Sequence, residues 1–335
     1  MNILLTGGAG YIGSHTAVAL AQAGYFPVVL DNFSNSHPEV MQRLKRITGK
    51  EIPLIQADVA DAEIAAKALK EFQIQAVIHF AAFKAVGESV QKPLQYYQNN
   101  VGGLLALLSA MDDADCRHLV FSSSCTVYGD PQTVPIREDA PTGYANPYGH
   151  TKLIGEQMLM SLSQRDPRWA FSILRYFNPV GAHDSGLIGE DPADIPNNLM
   201  PFIAQVAVGR HARARVFGRD YPTPDGTGVR DYIHVMDLAE GHVASLEKLK
   251  RDGAHCVNLG TGQGYSVLQV IEAYAKACGK PIEFDVLPRR EGDIAAAYAD
   301  VRLAQQLLGW KAKRGLDEMC ASSWKWQSLN PNGYR

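Results

Sequence analysis

The stretch Asn2-Ile3-Leu4-Leu5-Thr6-Gly7-Gly8-Ala9-Gly10-Tyr11-Ile12-Gly13 decides the fold. A short apolar run breaks into glycines spaced G-x-x-G-x-x-G at Gly7, Gly10 and Gly13, and a helical period follows. Glycine lets a tight turn take positive φ and lets backbone amides approach a pyrophosphate with no Cβ between them. The opening turn of a helix offers the anion unpaired N–H groups and the positive end of its dipole. Glycine-rich turns of purely structural origin are common, so context matters. Here a second apolar run, Val28-Val29-Leu30, ends in Asp31, about 20 residues beyond the glycines, where a carboxylate accepts from an adenosine ribose hydroxyl. That carboxylate repels a 2′-phosphate, which predicts NAD in preference to NADP.

Outward from this unit, apolar runs at 3–5, 28–30, 54–56, 76–80 and 119–122 read as buried parallel strands. Helical periods at 13–23, 62–72, 94–111 and 148–162 lie between or after them. The alternation predicts an α/β, Rossmann-type doubly wound parallel sheet with right-handed crossovers. Two further strand ends, Asp58-Val59 and Phe80-Ala81-Ala82, fall where such sheets bind ligands, suiting the adenine and the cofactor backbone. Beyond Tyr176, proline and glycine crowd 178–201 and 219–228. Residues 1–175 are therefore expected to form the dinucleotide domain and 176–335 a smaller α/β substrate-binding domain. The boundary is soft, because 232–246 and 257–259 suit a return onto the first domain.

Bulk properties exclude several classes. The chain has 335 residues, 20% charged and 46% hydrophobic, with a formal net charge of -3. That balance gives no basic footprint for nucleic acid and no pull towards an anionic membrane. Five dispersed cysteines with no C-x-x-C pair suit reduced thiols, neither a disulfide frame nor a metal site. With a strand opening at Asn2 and no long apolar stretch, a cytoplasmic protein is expected.

Tyr148-Gly149-His150-Thr151-Lys152 spaces a phenol and an ammonium by four, which places them on one helix face. A phenol ordinarily ionises near pH ~10. A neighbouring ammonium and a cationic nicotinamide ring are expected to lower that value and make it a usable general base. Ser122-Ser123-Ser124, at a strand end, offers hydroxyls beside a reacting oxygen. His150 is expected to face away from this pair.

Taken together, these strings resemble the extended short-chain dehydrogenase/reductase family, and within it the UDP-glucose 4-epimerases. The likeness runs from Gly7 to Trp310. It is carried by 6–15, 79–89, Ser122-Ser123-Ser124-Cys125-Thr126-Val127-Tyr128-Gly129, Arg175-Tyr176-Phe177-Asn178-Pro179-Val180-Gly181-Ala182-His183, and 225–235, which reads DGTGVRDYIHV. The resemblance implies Tyr148 as base, Ser124 as the hydroxyl holding the reacting oxygen, and Lys152 on the nicotinamide ribose. It implies cofactor contacts at Gly7, Gly10, Tyr11, Ile12, Gly13, Asp31, Asn32, Asp58, Val59, Phe80, Ala81, Ala82, Lys84, Asn99, Ser122 and Tyr176. Substrate contacts carry over to Lys84, Ser124, Tyr148, Asn178, Asn198 and Leu199 in the 197–201 turn, Phe217, Arg230, Arg290, Asp293 and Ala297. It further implies a UDP-sugar substrate and a homodimer formed through the helices near 94–111 and 148–162.

One departure bears on specificity. Ala297 stands where some of these epimerases carry a bulky aromatic, leaving room beside the sugar 2-position for an N-acetyl group. Tyr298 turning inward would refill that space. Rival readings are a sugar-nucleotide 4,6-dehydratase, a net dehydrogenase and a non-catalytic NAD sensor. The dehydratase requires an Asp-Glu pair where this chain has Cys125-Thr126, and the sensor is expected to have lost Tyr148 and Lys152.

Overall fold

A computed structural model describes every residue except 193–195, 197, 250–252 and 291. Its centre is a seven-stranded, all-parallel sheet. Six strands are β1 (Asn2–Thr6), β2 (Phe26–Asp31), β3 (Leu54–Gln56), β4 (Ala76–His79), β5 (His118–Ser124) and β6 (Ala170–Tyr176). The strand Gly253–Leu259 completes the edge beyond β6. Across the sheet the order is Gly253–Leu259, β6, β5, β4, β1, β2, β3. The apolar runs are continuous because both faces are covered. Ile3, Leu5 and Val29 face one core with Ala17 and Val18 of helix α1 (Tyr11–Gln22), while Leu4, Val28 and Leu30 face the other with Leu104 and Leu107. Strand order reverses at β1, so the crevice for a ligand opens beyond the carboxyl ends of β1 and β4.

Two helical expectations need revision. Glu39–Thr48 is a further helix, which buries Val40 and Leu44 one turn apart. The stretch expected as one helix at 94–111 is three: Pro93–Tyr96, a π-helical turn Tyr97–Gly102, and Gly103–Asp113. The wider turn lets Asn100 point inward, where its amide brackets the backbone of Phe83 (N–H 2.8 Å, C=O 3.0 Å) and donates to Thr151 Oγ1.

The later part of the chain builds short pairings. Asn178–Val180 lies parallel to Tyr232–His234, Ala214–Phe217 to Phe284–Leu287, and Val229–Arg230 sits between Tyr265–Ser266 and Ala296–Ala297. Helices Leu199–Ala207, Val267–Cys278 and Leu316–Leu329 close a separate core around Ile203, Tyr274 and Met319. No helix among the described residues is long and apolar enough to cross a membrane.

The helix Pro147–Arg165 is fixed against the sheet at two levels. Gly149 and Gly155 let it approach closely: a Cβ on Gly155 would stand 2.6 Å from the Phe121 ring, and one on Gly149 3.2 Å from the Thr126 carbonyl. Beneath them the Glu156 carboxylate takes a two-pronged ion pair from Arg175 of β6 (2.9 and 2.7 Å) and a hydrogen bond from Ser123 of β5. Arg175 also donates to the Tyr128 hydroxyl, which donates to Asn258 on the edge strand. Because every member is buried and satisfied, removing one partner strands a charge. Glu156→Ala should cost about 3–5 kcal/mol in urea unfolding, and joining it to Arg175→Met should cost less than the two single effects summed. A loss under about 1 kcal/mol for the single variant would refute this role.

Candidate active site

Gly7 has φ of +68°, and a Cβ there would lie 2.8 Å from the Ala81 nitrogen, so the turn after β1 runs directly against the end of β4. Gly13 is as constrained: its Cβ would stand 2.4 Å from the Gly7 carbonyl. Side-chain-free backbone therefore faces the crevice at the point where α1 begins, and Tyr11 and Ile12 lead its first turn. The Tyr11 hydroxyl donates to the Gly181 carbonyl at 2.7 Å, tying this turn to the later part of the chain.

Asp31 is buried. Its carboxylate accepts from Ala9 N–H (2.9 Å), Phe33 N–H (2.9 Å) and Ser36 Oγ (2.8 Å), so it braces the glycine turn from within the protein. Asn32 donates to Asp58 at 2.9 Å, joining the ends of β2 and β3, while Val59 is packed beside Gly103. Past β4, the Phe80 ring lies 4.9 Å from His242, and Ala81 and Ala82 keep the strand end narrow. Lys84 pairs with Glu190 at 2.9 Å, and Asn99 donates to Asn100 at 2.9 Å. Asn100 was not singled out from the sequence, although it anchors the loop that carries both Lys84 and the strand end.

Asn146 caps the Pro147–Arg165 helix by accepting from Gly149 N–H at 2.9 Å, with Pro147 opening its first turn. Tyr148 therefore sits in the first turn, where the helix dipole favours negative charge. Ser124 closes β5, its hydroxyl oxygen accepting from Thr126 N–H at 3.3 Å as the strand ends in the turn Cys125–Val127. One helical turn on, Lys152 Nζ donates to the Ser122 carbonyl (2.6 Å) and hydroxyl (3.2 Å). Tyr176 ends β6 beside them, its hydroxyl bonded to His242 Nε2. His242 Nδ1 lies 2.8 Å from the Leu238 carbonyl, an acceptor that can only receive, so Nδ1 carries the proton and Nε2 accepts from Tyr176. Burial keeps that imidazole neutral by pushing its pKa down to about 4.

Of the two positive charges expected to lower the Tyr148 pKa, the Lys152 ammonium belongs to the chain, and it is not among the groups that shift the phenol. Burial pushes the phenol up to about 12, with the Ser124 hydrogen bond opposing, and pushes the Lys152 ammonium down to about 7. Desolvation is the largest cause in both cases. His150 lies outside this pair, stacked on Tyr144 at 3.8 Å and bonded to Tyr97 at 2.7 Å.

At the substrate end, Arg290 pairs with Asp293 at 2.9 Å and stacks over the Phe217 ring at 4.7 Å, so three separately named residues meet. Arg230 shares strand register with Ala297, and Asn178 N–H donates to the Asp231 carbonyl at 2.9 Å. Asn198 begins the Leu199–Ala207 helix and is exposed; Asn197 and Glu291 lie outside the described residues. Asp231 was passed over in the sequence reading. It is fully buried and accepts from Thr261, Gly262 and Ala299, which ties the Arg230 strand to two other segments. Ala297 is buried with Val127, Tyr128 and Phe177. The Tyr298 ring takes the other face, over Gly264, where a Cβ would be 3.1 Å from it. No group of three or more His, Cys, Asp or Glu among the described residues is placed to hold a metal ion.

A family model described as GDP-mannose 4,6 dehydratase matches residues 4–323. The UDP-glucose 4-epimerase of Bacillus subtilis is 58% identical over all of this chain and 99% of its own length. The chain belongs to the UDP-glucose 4-epimerase family. The epimerase of Bifidobacterium longum, solved in complex with NAD+ and UDP, superposes with a TM-score of 0.96 at 52% identity, covering 99% of this chain and all of that one. A second, from Stenotrophomonas maltophila with bound NAD and formylated UDP-arabinopyranose, gives 0.97 at 51%, covering 99% of each chain. Although the matching model carries a dehydratase's name, Cys125 and Thr126 follow Ser124 here and offer no carboxyl acid–base pair.

Within this epimerase fold the buried lysine opposes stability. Its folded pKa of about 7 lies below the unfolded value, so the unfolded chain binds more protons between the two and the penalty is full below about pH 7 and fades as pH rises towards 10. In the ligand-free protein, Lys152→Met should therefore gain stability relative to the parent, by more at about pH 6.5 than at about pH 9. A pH-independent difference in thermal unfolding would contradict the depressed pKa.

Proposed function

We propose that this chain interconverts UDP-glucose and UDP-galactose by transient oxidation at carbon 4, with NAD held throughout. The observation that carries the reading is Lys152, buried and held on Ser122 at the end of β5, with Tyr148 one turn before it on the same helix face. The crevice suits a dinucleotide because the turn at its floor is closed by Gly7 and Gly13, where a Cβ would strike the Ala81 nitrogen or the Gly7 carbonyl, and because Asp31 stands at the end of β2. Gly7, Gly10, Tyr11, Ile12 and Gly13 would hold the pyrophosphate, Asp31 and Asn32 the adenosine ribose, and Asp58 and Val59 the adenine. Phe80, Ala81, Ala82, Lys84, Asn99, Ser122, Lys152 and Tyr176 would line the remainder. When bound, NAD supplies a reversible hydride acceptor, so the cycle has no net redox change.

Tyr148 takes the proton from the sugar 4-hydroxyl and returns it when the 4-keto sugar has turned over. Ser124 holds the same oxygen through its hydroxyl. Lys152, in place on Ser122, orients the ribose and adds positive charge beside the phenol. Arg230 and Arg290 grip the diphosphate, Phe217 stacks on uracil, Asp293 accepts from the uridine ribose, and Asn178, Asn198, Leu199 and Lys84 surround the remainder.

On this reading residues 1–175 take the dinucleotide and 176–335 the sugar nucleotide; the pairing of Gly253–Leu259 with β6 supports a return of later chain onto the first part. A homodimer is supported by exposed apolar side chains near the proposed helices, Val90, Leu94 and Leu105, which are 61%, 76% and 56% exposed. Five unpaired cysteines fit a reducing cytoplasm.

The purified protein incubated with UDP-galactose and no added NAD should form UDP-glucose, without accumulating NADH by its absorbance. Tyr148→Phe should fall roughly 10²–10⁴-fold in that assay with its fold intact; parent-like turnover would sink the reading. The buried small side chain at Ala297, with Tyr298 turned away, supports UDP-N-acetylgalactosamine as a second substrate. A coupled assay should detect its turnover and Ala297→Tyr should abolish it; no parent turnover at millimolar substrate would end that extension.

A further inference from the structure

The crevice beyond the carboxyl ends of β1 and β4 has a lip on each side. Tyr11 stands on one, in the turn that opens α1, and Lys84 on the other, in the loop after β4. The two lips meet at their base, where a Cβ on Gly7 would lie 2.8 Å from the Ala81 nitrogen. Above it the Lys84 ammonium reaches back to 6.0 Å from the Tyr11 ring centroid. Residues 181–191, from the later part of the chain, engage both lips. The Gly181 carbonyl accepts from the Tyr11 hydroxyl at 2.7 Å, and the Glu190 carboxylate accepts from Lys84 at 2.9 Å.

From behind, this segment is pinned to the end of the chain. Trp326 donates to the Glu190 carbonyl at 3.2 Å. The Tyr334 hydroxyl donates to the Gly189 carbonyl and accepts from its N–H, each at 3.1 Å. A Cβ on Gly189 would strike the Trp326 ring, so glycine is what lets the backbone lie this close. Arg43 donates to the Leu187 carbonyl at 2.9 Å and to Asn330 at 2.6 Å. Fixed backbone therefore delivers the Glu190 carboxylate, whose side chain is 11% exposed against 47% for Lys84. An ammonium carries three donors and no acceptor. Glu190 takes one of them, the one hydrogen bond of Lys84 Nζ among the described residues, and leaves the others for an acceptor in the crevice. A bare carboxylate beside a pyrophosphate would repel it, whereas a paired one fixes where the cation stands.

We infer that Glu190 is a positioning residue for the cofactor: by holding Lys84 it ties the two lips together through residues 181–191 and slows the escape of NAD. This rests on the NAD reading above, with Lys84 touching the cofactor and Glu190 acting through it. Glu190→Ala removes the carboxylate and leaves the backbone anchors in place. Loaded with radiolabelled NAD and chased with an excess of unlabelled NAD, the variant should lose label roughly three- to fivefold faster than the parent, the scale of one partly exposed ion pair. In about 1 M salt that gap should narrow, because the pair is open to water on the lysine side. Glu190→Gln, which keeps an acceptor without the charge, should fall between parent and Glu190→Ala. With NAD added, kcat for UDP-galactose should stay within about twofold of the parent. The unfolding temperature of the ligand-free variant should drop by no more than a few degrees. Parent-like retention of label, a gap indifferent to salt, or a faster loss that tracks a collapsing unfolding temperature would each overturn the inference. A parent that takes up no NAD would bring down the dinucleotide reading, and this inference with it.

Discussion

The site depends on a cation buried with no carboxylate of its own. Lys152 Nζ is held by the Ser122 carbonyl and hydroxyl, while the carboxylate one turn further on, Glu156, is taken up by Arg175 and Ser123. An ammonium so placed is weakly solvated, and its pKa falls to about 7; the phenol one turn before it is pushed up to about 12, also by desolvation. Both shifts run against ionised Tyr148. The protein alone thus keeps the Tyr148 phenol protonated, and phenolate formation needs positive charge beyond what these side chains provide. The helix dipole at Tyr148 lowers what remains to be supplied.

Holding such a pair in place requires stiffness from outside it. The Glu156–Arg175 pair, the Tyr128–Asn258 bond and the close approaches at Gly149 and Gly155 join the Pro147–Arg165 helix to β5, β6 and the edge strand. The edge strand Gly253–Leu259 is more than seventy residues past β6 in sequence, yet it pairs with β6 along its whole length. Chain from the later half therefore stabilises the Pro147–Arg165 helix in the first. Asp231 does for the substrate end what Glu156 does for the helix, drawing Thr261, Gly262 and Ala299 to the strand that carries Arg230.

How much of this was legible follows from what sequence periodicity can encode. The glycine turn, Asp31 and the Tyr148–Lys152 spacing are local, and their chemistry is readable from a few adjacent residues. Glu156 was also within reach, because Tyr148, Lys152 and Glu156 recur every four residues on one helix face; only its partner, nineteen residues on, was not. The π-helical turn escaped because it changes neither composition nor apolar period, yet it decides that Asn100, not Asn99, brackets Phe83. Strands of two or three residues, such as Val229–Arg230 and Ala296–Ala297, are too short to show alternation. The sign of the Tyr148 shift was unreadable for a different reason: proximity of charge is a sequence property, whereas desolvation belongs to the packed fold.

The last of those short strands shows how a small register decision sets chemistry. Ala296–Ala297 pairs with Val229–Arg230, and successive residues on a strand point to opposite faces. Ala297 consequently turns into the cluster with Phe177 and Tyr128, while Tyr298 turns out over Gly264. A slip of one residue would exchange a methyl for a phenol ring at the inner position. The register is held by Asp231, whose carboxylate accepts from Ala299 N–H and whose own N–H donates to the Ala297 carbonyl at 3.0 Å. Which side chain stands at the inner position is thus fixed by one buried carboxylate on the neighbouring segment, that of Asp231, and not by the identity of residue 297 alone.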